Sequence, residues 1–307
     1  MSFLGVHKFE RKIVVLIRRL LVFIGMLVFI VVLFGSYLLW HNNKKVDFPQ
    51  RIELEQSLKN AIAWLDVHRS QILNEENPML WWMIKESAEL THNVTLVGLY
   101  DQYRTRYLDV NSNNAWQYLF YTNSTVPLDL TQLENLPNYN LFFLYGLSCD
   151  ENLAGTPIIK EQLKTEFCND HLLSPACVTH QIMGFRFMQR SACGSSEYVN
   201  NSIFALQNKL VTQLTWDVRV VDVYFQRVLM LEDSGASNRI KPIWISRILS
   251  AQNSDGGWSG FQPIISLGSK LSVGFSGRGV SVNRNLSDFH ASAQGVLLMS
   301  LLLTNSK

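Results

Sequence analysis

The sequence predicts a mostly α-helical protein: an N-terminal transmembrane helix, then an α/α-hairpin domain with a small β-hairpin insertion. Three observations predict it. Leu20 to Trp40 (LLVFIGMLVFIVVLFGSYLLW) runs without a formal charge, and as a helix it crosses a hydrocarbon core of roughly 30 Å. Beyond it, apolar residues recur at helical spacing in one segment after another. Between Asp255 and Ser287 that period fails and Gly and Ser crowd in, as in a long loop that carries a hairpin.

The anchor comes first in the chain. Lys8, Arg11, Lys12, Arg18 and Arg19 precede it, opposed only by Glu10, while Lys44, Lys45 and Asp47 follow. Positive flanks stay in the cytoplasm, so residues 1–19 are expected inside, 20–40 in the bilayer and the rest exported. A cleaved signal peptide has an apolar region of about 7–15 residues and a small-residue cleavage site. This run is longer, and Ser36-Tyr37-Leu38-Leu39-Trp40 lacks an A-x-A pattern. The expectation is an uncleaved, single-pass signal anchor with Tyr37 and Trp40 in the interfacial belt. A linker over 41–51 leads to an exported domain over 52–307, periplasmic or extracellular.

Charge divides the chain in the same place. Of 27 Lys/Arg and 25 Asp/Glu, eight and two lie in residues 1–51, which leaves 19 and 23 beyond, a net of −4. A mildly acidic domain without a basic stripe does not bind nucleic acid. Cys149, Cys168, Cys177 and Cys193 are the only cysteines. In an oxidising compartment they read as two disulfides, and their spacing is not that of a CxxC zinc site. A helix over 179–190 has ends roughly 17 Å apart, too far for Cys177 to reach Cys193 in a disulfide. In an antiparallel hairpin Cys168 and Cys177 share the loop end, and Cys149 and Cys193 meet at the other. The expected bonds are Cys168–Cys177 and Cys149–Cys193.

Helices are expected over Arg51–Leu73 (Leu54, Leu58, Ile62, Leu65, Ile72), Leu80–Leu90 and His92–Leu108. Asn74-Glu75-Glu76-Asn77-Pro78 separates the first two, with Pro78 acceptable in a first turn. Trp81 and Trp82 read as core. Pro137 splits Leu130–Leu147 into two pieces. Further helices are expected over Thr156–Phe167, Thr179–Arg190, Ser202–Leu214, Trp216–Leu231, Ile240–Ala251 and Asp288–Leu303, the last apolar almost all round. Leu271–Phe275 and Val280–Val282, flanking Ser276-Gly277-Arg278-Gly279, make the hairpin.

Gln252-Asn-Ser-Asp255-Gly256-Gly257-Trp258 follows the helix that contains Trp244, Ile248 and Leu249. The form Q-x-x-x-G-x-W at a helix end resembles the QW motif of terpenoid cyclases and the related prenyltransferase-like (α/α)-toroid domains. The resemblance implies a toroid-like domain in which outer helices end in such a turn and feed inner helices. Asp288-Phe289-His290-Ala291 looks like the start of an inner helix. The likeness covers about sixty residues and one motif copy, with Arg247 where an aromatic residue is common. The acid clusters of the cyclases, D-x-D-D or D-D-x-x-D, are absent. The resemblance therefore implies the architecture and not the reaction.

A weaker repeat runs through Thr91-His92-Asn93, Thr179-His180-Gln181 and Phe289-His290-Ala291, followed by Gly98, Gly184 and Gly295. If these open equivalent inner helices, His92, His180 and His290 face one mouth of a cavity, and the 255–287 segment is its lid. Three imidazoles would suit Zn²⁺, but H-E-x-x-H is absent and no metal or cofactor is assigned. G-x-S-x-G is also absent. Glu86, Glu89, Asp217 and Asp255 are the available carboxylates. The candidate catalytic residues are His290 and Asp288, and the candidate ligand-binding residues are His92, His180, His290 and Arg278. The expected function is a binding or scaffold module at the outer face of the membrane, with a protein or glycan partner. The alternatives are a carbohydrate-active hydrolase or lyase on a toroid, and a metal-dependent enzyme using the histidines.

Overall fold

The computed structural model describes residues 4–109, 114–121, 124–133, 135–169, 175–268 and 271–305. Helices form where the apolar spacing is helical and stop where capping side chains compete for the backbone. Those of nine residues or more are α1 (Leu4–Asn43), α2 (Arg51–Val67), α3 (Pro78–Thr91), α4 (Val94–Tyr103) and α5 (Asn138–Ser148). They continue with α6 (Cys177–Arg190), α7 (Ser196–Trp216), α8 (Asp222–Asp233), α9 (Pro242–Ser250) and α10 (Phe289–Asn305). The chain divides into two compact units, residues 1–44 and 45–307. The first is the helix α1, long and apolar enough from Ile17 onward to cross a membrane, with that surface unburied. The second holds the hydrophobic core.

Caps explain most of the boundaries. Asn77 accepts the Met79 N–H at 3.0 Å, with Pro78 in the first turn of α3. Asn93 accepts the N–H groups of Thr95 and Leu96, so α4 begins at Val94. His92 does not open a helix: it closes α3 with φ 54°. The long first helix expected to Leu73 ends at Val67, where the His68 ring bonds the Trp64 carbonyl at 2.9 Å, and a single turn, Arg69–Ile72, follows. Thr156–Phe167 shortens to Pro157–Leu163 with Thr156 as its cap. The stretch from Trp216 splits: Asp217 is clamped by Arg219 and Arg227 at 2.7 Å each, which holds the chain extended until α8 starts.

Four helices make the centre. α10 packs against α3 and α8, α8 against α6, and Trp82 of α3 meets Phe187 of α6 edge-on at 5.5 Å. α2, α5, α7 and α9 lie outside them, with α2 on α10, α5 on α6, and α7 and α9 on α8. α8 is buried from Val223 to Glu232. The C-terminal ends of the central helices meet: Asp233 takes Arg186 at 3.0 Å and Arg190 at 2.8 Å, Arg190 reaches Glu86 at 3.9 Å, and Asn305 donates to Glu232 at 2.7 Å. Both expected cysteine pairs form, with Cα–Cα 5.5 Å for Cys149–Cys193 and 5.6 Å for Cys168–Cys177.

The Gln252–Trp258 turn ties three helices. Gln252 Nε2 donates to the Ser57 and Gly256 carbonyls, and Trp64 Nε1 to Asp255. The buried Trp258 indole donates to the Ile248 carbonyl at 2.9 Å, and its backbone N–H to Ser292 Oγ at 3.0 Å. Gly256 is required here: its φ is +94°, and a Cβ would lie 2.5 Å from the Asn60 carbonyl oxygen.

The insertion is a three-stranded antiparallel sheet, β1 (Gln262–Ser266), β2 (Ser272–Ser276) and β3 (Gly279–Asn283), in the order β1-β2-β3. β2 and β3 are the expected hairpin. β1 escapes the sequence pattern because it carries Pro263 and a register shift beside it, both edge-strand features.

Candidate functional site

The N-terminal ends of the central helices gather around one cavity of about 210 Å³, whose lining includes Asn77, Tyr139, His180, Gln226 and His290. The helix start delivers each side chain. Asn77 caps α3, His180 lies in the first turn of α6, Asp222 opens α8 with Gln226 one turn on, and His290 lies in the first turn of α10.

His180 stacks on Tyr139 at 4.1 Å, tilted by 17°. Burial first, and then the neighbouring His290, push its imidazole down to about 4, against the pull of Asp222. It is neutral at physiological pH. Among the described residues no protein group hydrogen-bonds its ring nitrogens, so they are available to a ligand.

His290 is a different imidazole. Its Nδ1 lies 3.5 Å from Asp222 Oδ2, and its Nε2 lies 3.3 Å from the Gln294 amide. Burial lowers its pKa, yet the bond to Asp222 and the charges of Asp222 and Asp288 outweigh burial and leave it raised. For Asp222 burial pushes the carboxyl up; His290, the Val223 N–H and Arg227 together hold it below the ordinary carboxylate range. The pair is thus a partly exposed, charge-assisted contact at the lip of the cavity. The Gln294 oxygen is buried without a partner among the described residues. Rotating that amide would offer the oxygen to a protonated His290, so Gln294 can serve either charge state of the ring. Gln226 is fixed by Thr179 Oγ1, which donates to it at 2.8 Å.

Of the sequence candidates, His180 and His290 come together here. His92 does not: it is exposed at the far end of α3, roughly 20 Å along the helix from Asn77. The three-histidine arrangement is therefore not formed, and among the described residues no group of three His, Cys, Asp or Glu could hold a metal ion. Asp288 is a cap: its oxygens accept the Ala291 N–H at 2.8 Å and the Gly260 N–H at 2.7 Å. Arg278 is exposed in the β2–β3 turn. That turn does approach the site, since a Cβ on Gly277 would lie 3.2 Å from Asp222 Oδ1, and Arg219 donates to the Ser276 carbonyl.

Asp222, Gln226 and Gln294 were missed by sequence reasoning. A helix drawn from Trp216 buries Asp222 in mid-helix, whereas reading Asp222 as a first-turn acid would have placed it beside His290. The other available carboxylates lie elsewhere. Asp217 is held by two arginines, and Asp255 by Trp64, Gly257 and Ser287. Glu86 lines a second cleft, of about 410 Å³, with Trp82, Tyr121 and Arg190 at the C-terminal ends of α3 and α6. Burial raises its carboxyl more than Arg190 and Lys85 lower it.

No family model, curated protein or solved structure matches this chain.

Proposed function

We propose that this chain is a single-pass, membrane-anchored protein whose exported domain is a toroid-like α/α bundle serving as a binding module at the outer face of the membrane. The carrying observation is the convergence of His180, Gln226 and His290, from three helices distant in sequence, on one cavity. A cavity of about 210 Å³ suits a small polar ligand such as one unit of a glycan. Neutral His180 offers a donor and an acceptor, and the Asp222–His290 pair supplies charge at the lip. The basic flank before α1 and the disulfides in the rest of the chain support export. Helix starts at one mouth and the QW-like turn support the toroid.

The test is a glycan array probed with the full chain in detergent, beside His180→Ala and His290→Ala. We expect retained glycans in the wild type and binding weaker by about tenfold or more in either variant, the size of one lost buried hydrogen bond, with the far-ultraviolet circular dichroism of each variant unchanged at the assay temperature. Retention of no glycan, or binding indifferent to both variants, refutes the reading. One observation favours a carbohydrate-active hydrolase or lyase instead: Asp222 orients His290 as a carboxylate orients a general base. Polysaccharide turnover that disappears in His290→Ala would establish that reading.

A further inference from the structure

The sheet is inside out. Cross-strand pairing sets Ile265 beside Val273, Val273 beside Val282, and Phe275 beside Val280. Side chains two apart share a face, so Ile265, Leu267, Leu271, Val273, Phe275, Val280 and Val282 form one continuous apolar face. It points to solvent: Val280 is 69% exposed, Ile265 and Val282 58%, Leu267 57% and Leu271 46%. The opposite face, with Gly274 and Ser281, is the covered one. Gly274 is buried and a Cβ there would lie 2.5 Å from the Phe261 ring, while the Ser281 hydroxyl is buried. A sheet with one solvated face ordinarily turns its apolar row inward, and an apolar patch left outside marks an interaction surface.

Charge within the segment that carries the patch has one sign, with Asp222 approaching only the β2–β3 turn at Gly277. Residues 256–287 contain Lys270, Arg278 and Arg284 and no Asp or Glu, within a domain that is acidic as a whole. Arg278 and Arg284 are exposed at the strand ends, while Lys270 lies outside the described residues. Seven residues separate Asn43 at the end of α1 from Arg51 at the start of α2, a reach of at most about 25 Å. An apolar face rimmed by cations, on a domain tethered that closely, has the composition of a lipid-interface element. A second copy of the face is disfavoured, because its rim would bring like charges together.

We propose that the β1-β2-β3 sheet is a second membrane contact, seating its apolar face in the interface of an anionic leaflet of the bilayer that holds α1. The proposal rests on the anchor reading, and one experiment separates the two. The full chain is placed in nanodiscs of phosphatidylcholine, with or without phosphatidylglycerol, containing a trace of diazirine-bearing phospholipid. Photolysis and peptide mapping then report which segments meet lipid. We expect label in α1 and in 262–286, with the peptide around the exposed Phe204 of α7 as the unlabelled reference. Ile265→Ser with Val282→Ser should lower label in the sheet by about tenfold or more, each buried apolar side chain contributing roughly that factor. Melting should not change, since both side chains are exposed. Arg278→Glu with Arg284→Glu should lower label only in the phosphatidylglycerol discs. Label in α1 with none in the sheet above the Phe204 reference overturns this proposal and leaves the anchor standing. Absence of label from both overturns both. Cross-linking of the sheet to a second copy or to another protein in place of lipid likewise overturns it.

Discussion

Replacing Gly295 by Ala puts the Gln252–Trp258 turn to a quantitative test. A Cβ at Gly295 would lie 2.5 Å from two carbons of the Trp258 ring and 3.0 Å from a third. The ring has no room to retreat, because it is fully buried, bonded to the Ile248 carbonyl at 2.9 Å and edge-on to Phe225 at 6.0 Å. Overpacking of this kind costs about 1–3 kcal/mol, and the better helix propensity of Ala returns about 1 kcal/mol. The net is a loss of about 0–2 kcal/mol. Trp258→Ala alone should cost about 3–5 kcal/mol through its cavity and the orphaned carbonyl. In that background the Gly295→Ala methyl meets empty space and should stabilise by about 1 kcal/mol.

The sign reversal is the signature. A double-mutant cycle on the full chain in detergent, disulfides oxidised, with urea unfolding followed by far-ultraviolet circular dichroism, should give a coupling of about 1–3 kcal/mol. If Trp258→Ala leaves too little stability to measure, Trp258→Phe keeps the sign, since the benzo ring that faces Gly295 is lost. Additivity of the two changes to within about 0.5 kcal/mol would refute the packing described here.

The remaining expectations concern the disulfides, the pH response and the last helix. Loop-closure entropy for sequence separations of 44 and 9 gives about 4 kcal/mol for Cys149–Cys193 and about 3 kcal/mol for Cys168–Cys177. Paired Cys→Ser variants should therefore lose stability in that order in urea titrations, and the reverse order would contradict it. His180 takes a proton in the unfolded chain near pH 6.5 but in the fold only near 4. Stability should therefore fall as pH drops through that window, by up to about 3 kcal/mol, and His180→Gln should flatten the slope. The raised His290 acts the other way, its contribution being present below the unfolded value and lost as pH rises through the folded one. Asp288→Ala should cost about 1–2 kcal/mol, because two backbone N–H groups lose their acceptor. His290→Ala, half-exposed, should leave the melting temperature nearly unchanged, and equal losses for the two would mean that Asp288 is not the cap.

How far the sequence could be read depended on whether the deciding interaction was local. Pro78, Asn77 and the apolar runs act within a turn or two of themselves, so the helices they start were legible. The cysteine pairing was legible too, since a helix of known rise decides which ends can meet. The third strand was not, because β1 pairs through backbone groups and carries Pro263 and an irregular register. His68 and Asp217 stop helices through side-chain bonds that periodicity does not reveal. Asp288 looked like site chemistry and is a cap, since an acid at a helix start serves either role with the same residue at the same place.

The weak histidine–glycine repeat marks two of the central helices for a reason that lies in the packing. Four residues after His180, a Cβ on Gly184 would lie 2.2 Å from the Phe142 ring; five residues after His290, one on Gly295 would meet the Trp258 ring. In each case the glycine lets an aromatic ring from a neighbouring segment press against a central helix, while the histidine sits a turn nearer the mouth. Gly98 has only Arg69 within reach, at 3.8 Å, and its histidine ends a helix instead of starting one. The other two central helices come to the mouth without such a glycine, α3 bringing Asn77 and α8 bringing Asp222 and Gln226. The ring of helix starts is therefore chemically uneven: a neutral imidazole, an imidazole tied to a carboxylate, and two amides. A ligand bound there meets a different donor or acceptor on each side, and for that reason the pocket can fix the orientation of a small polar molecule as well as hold it.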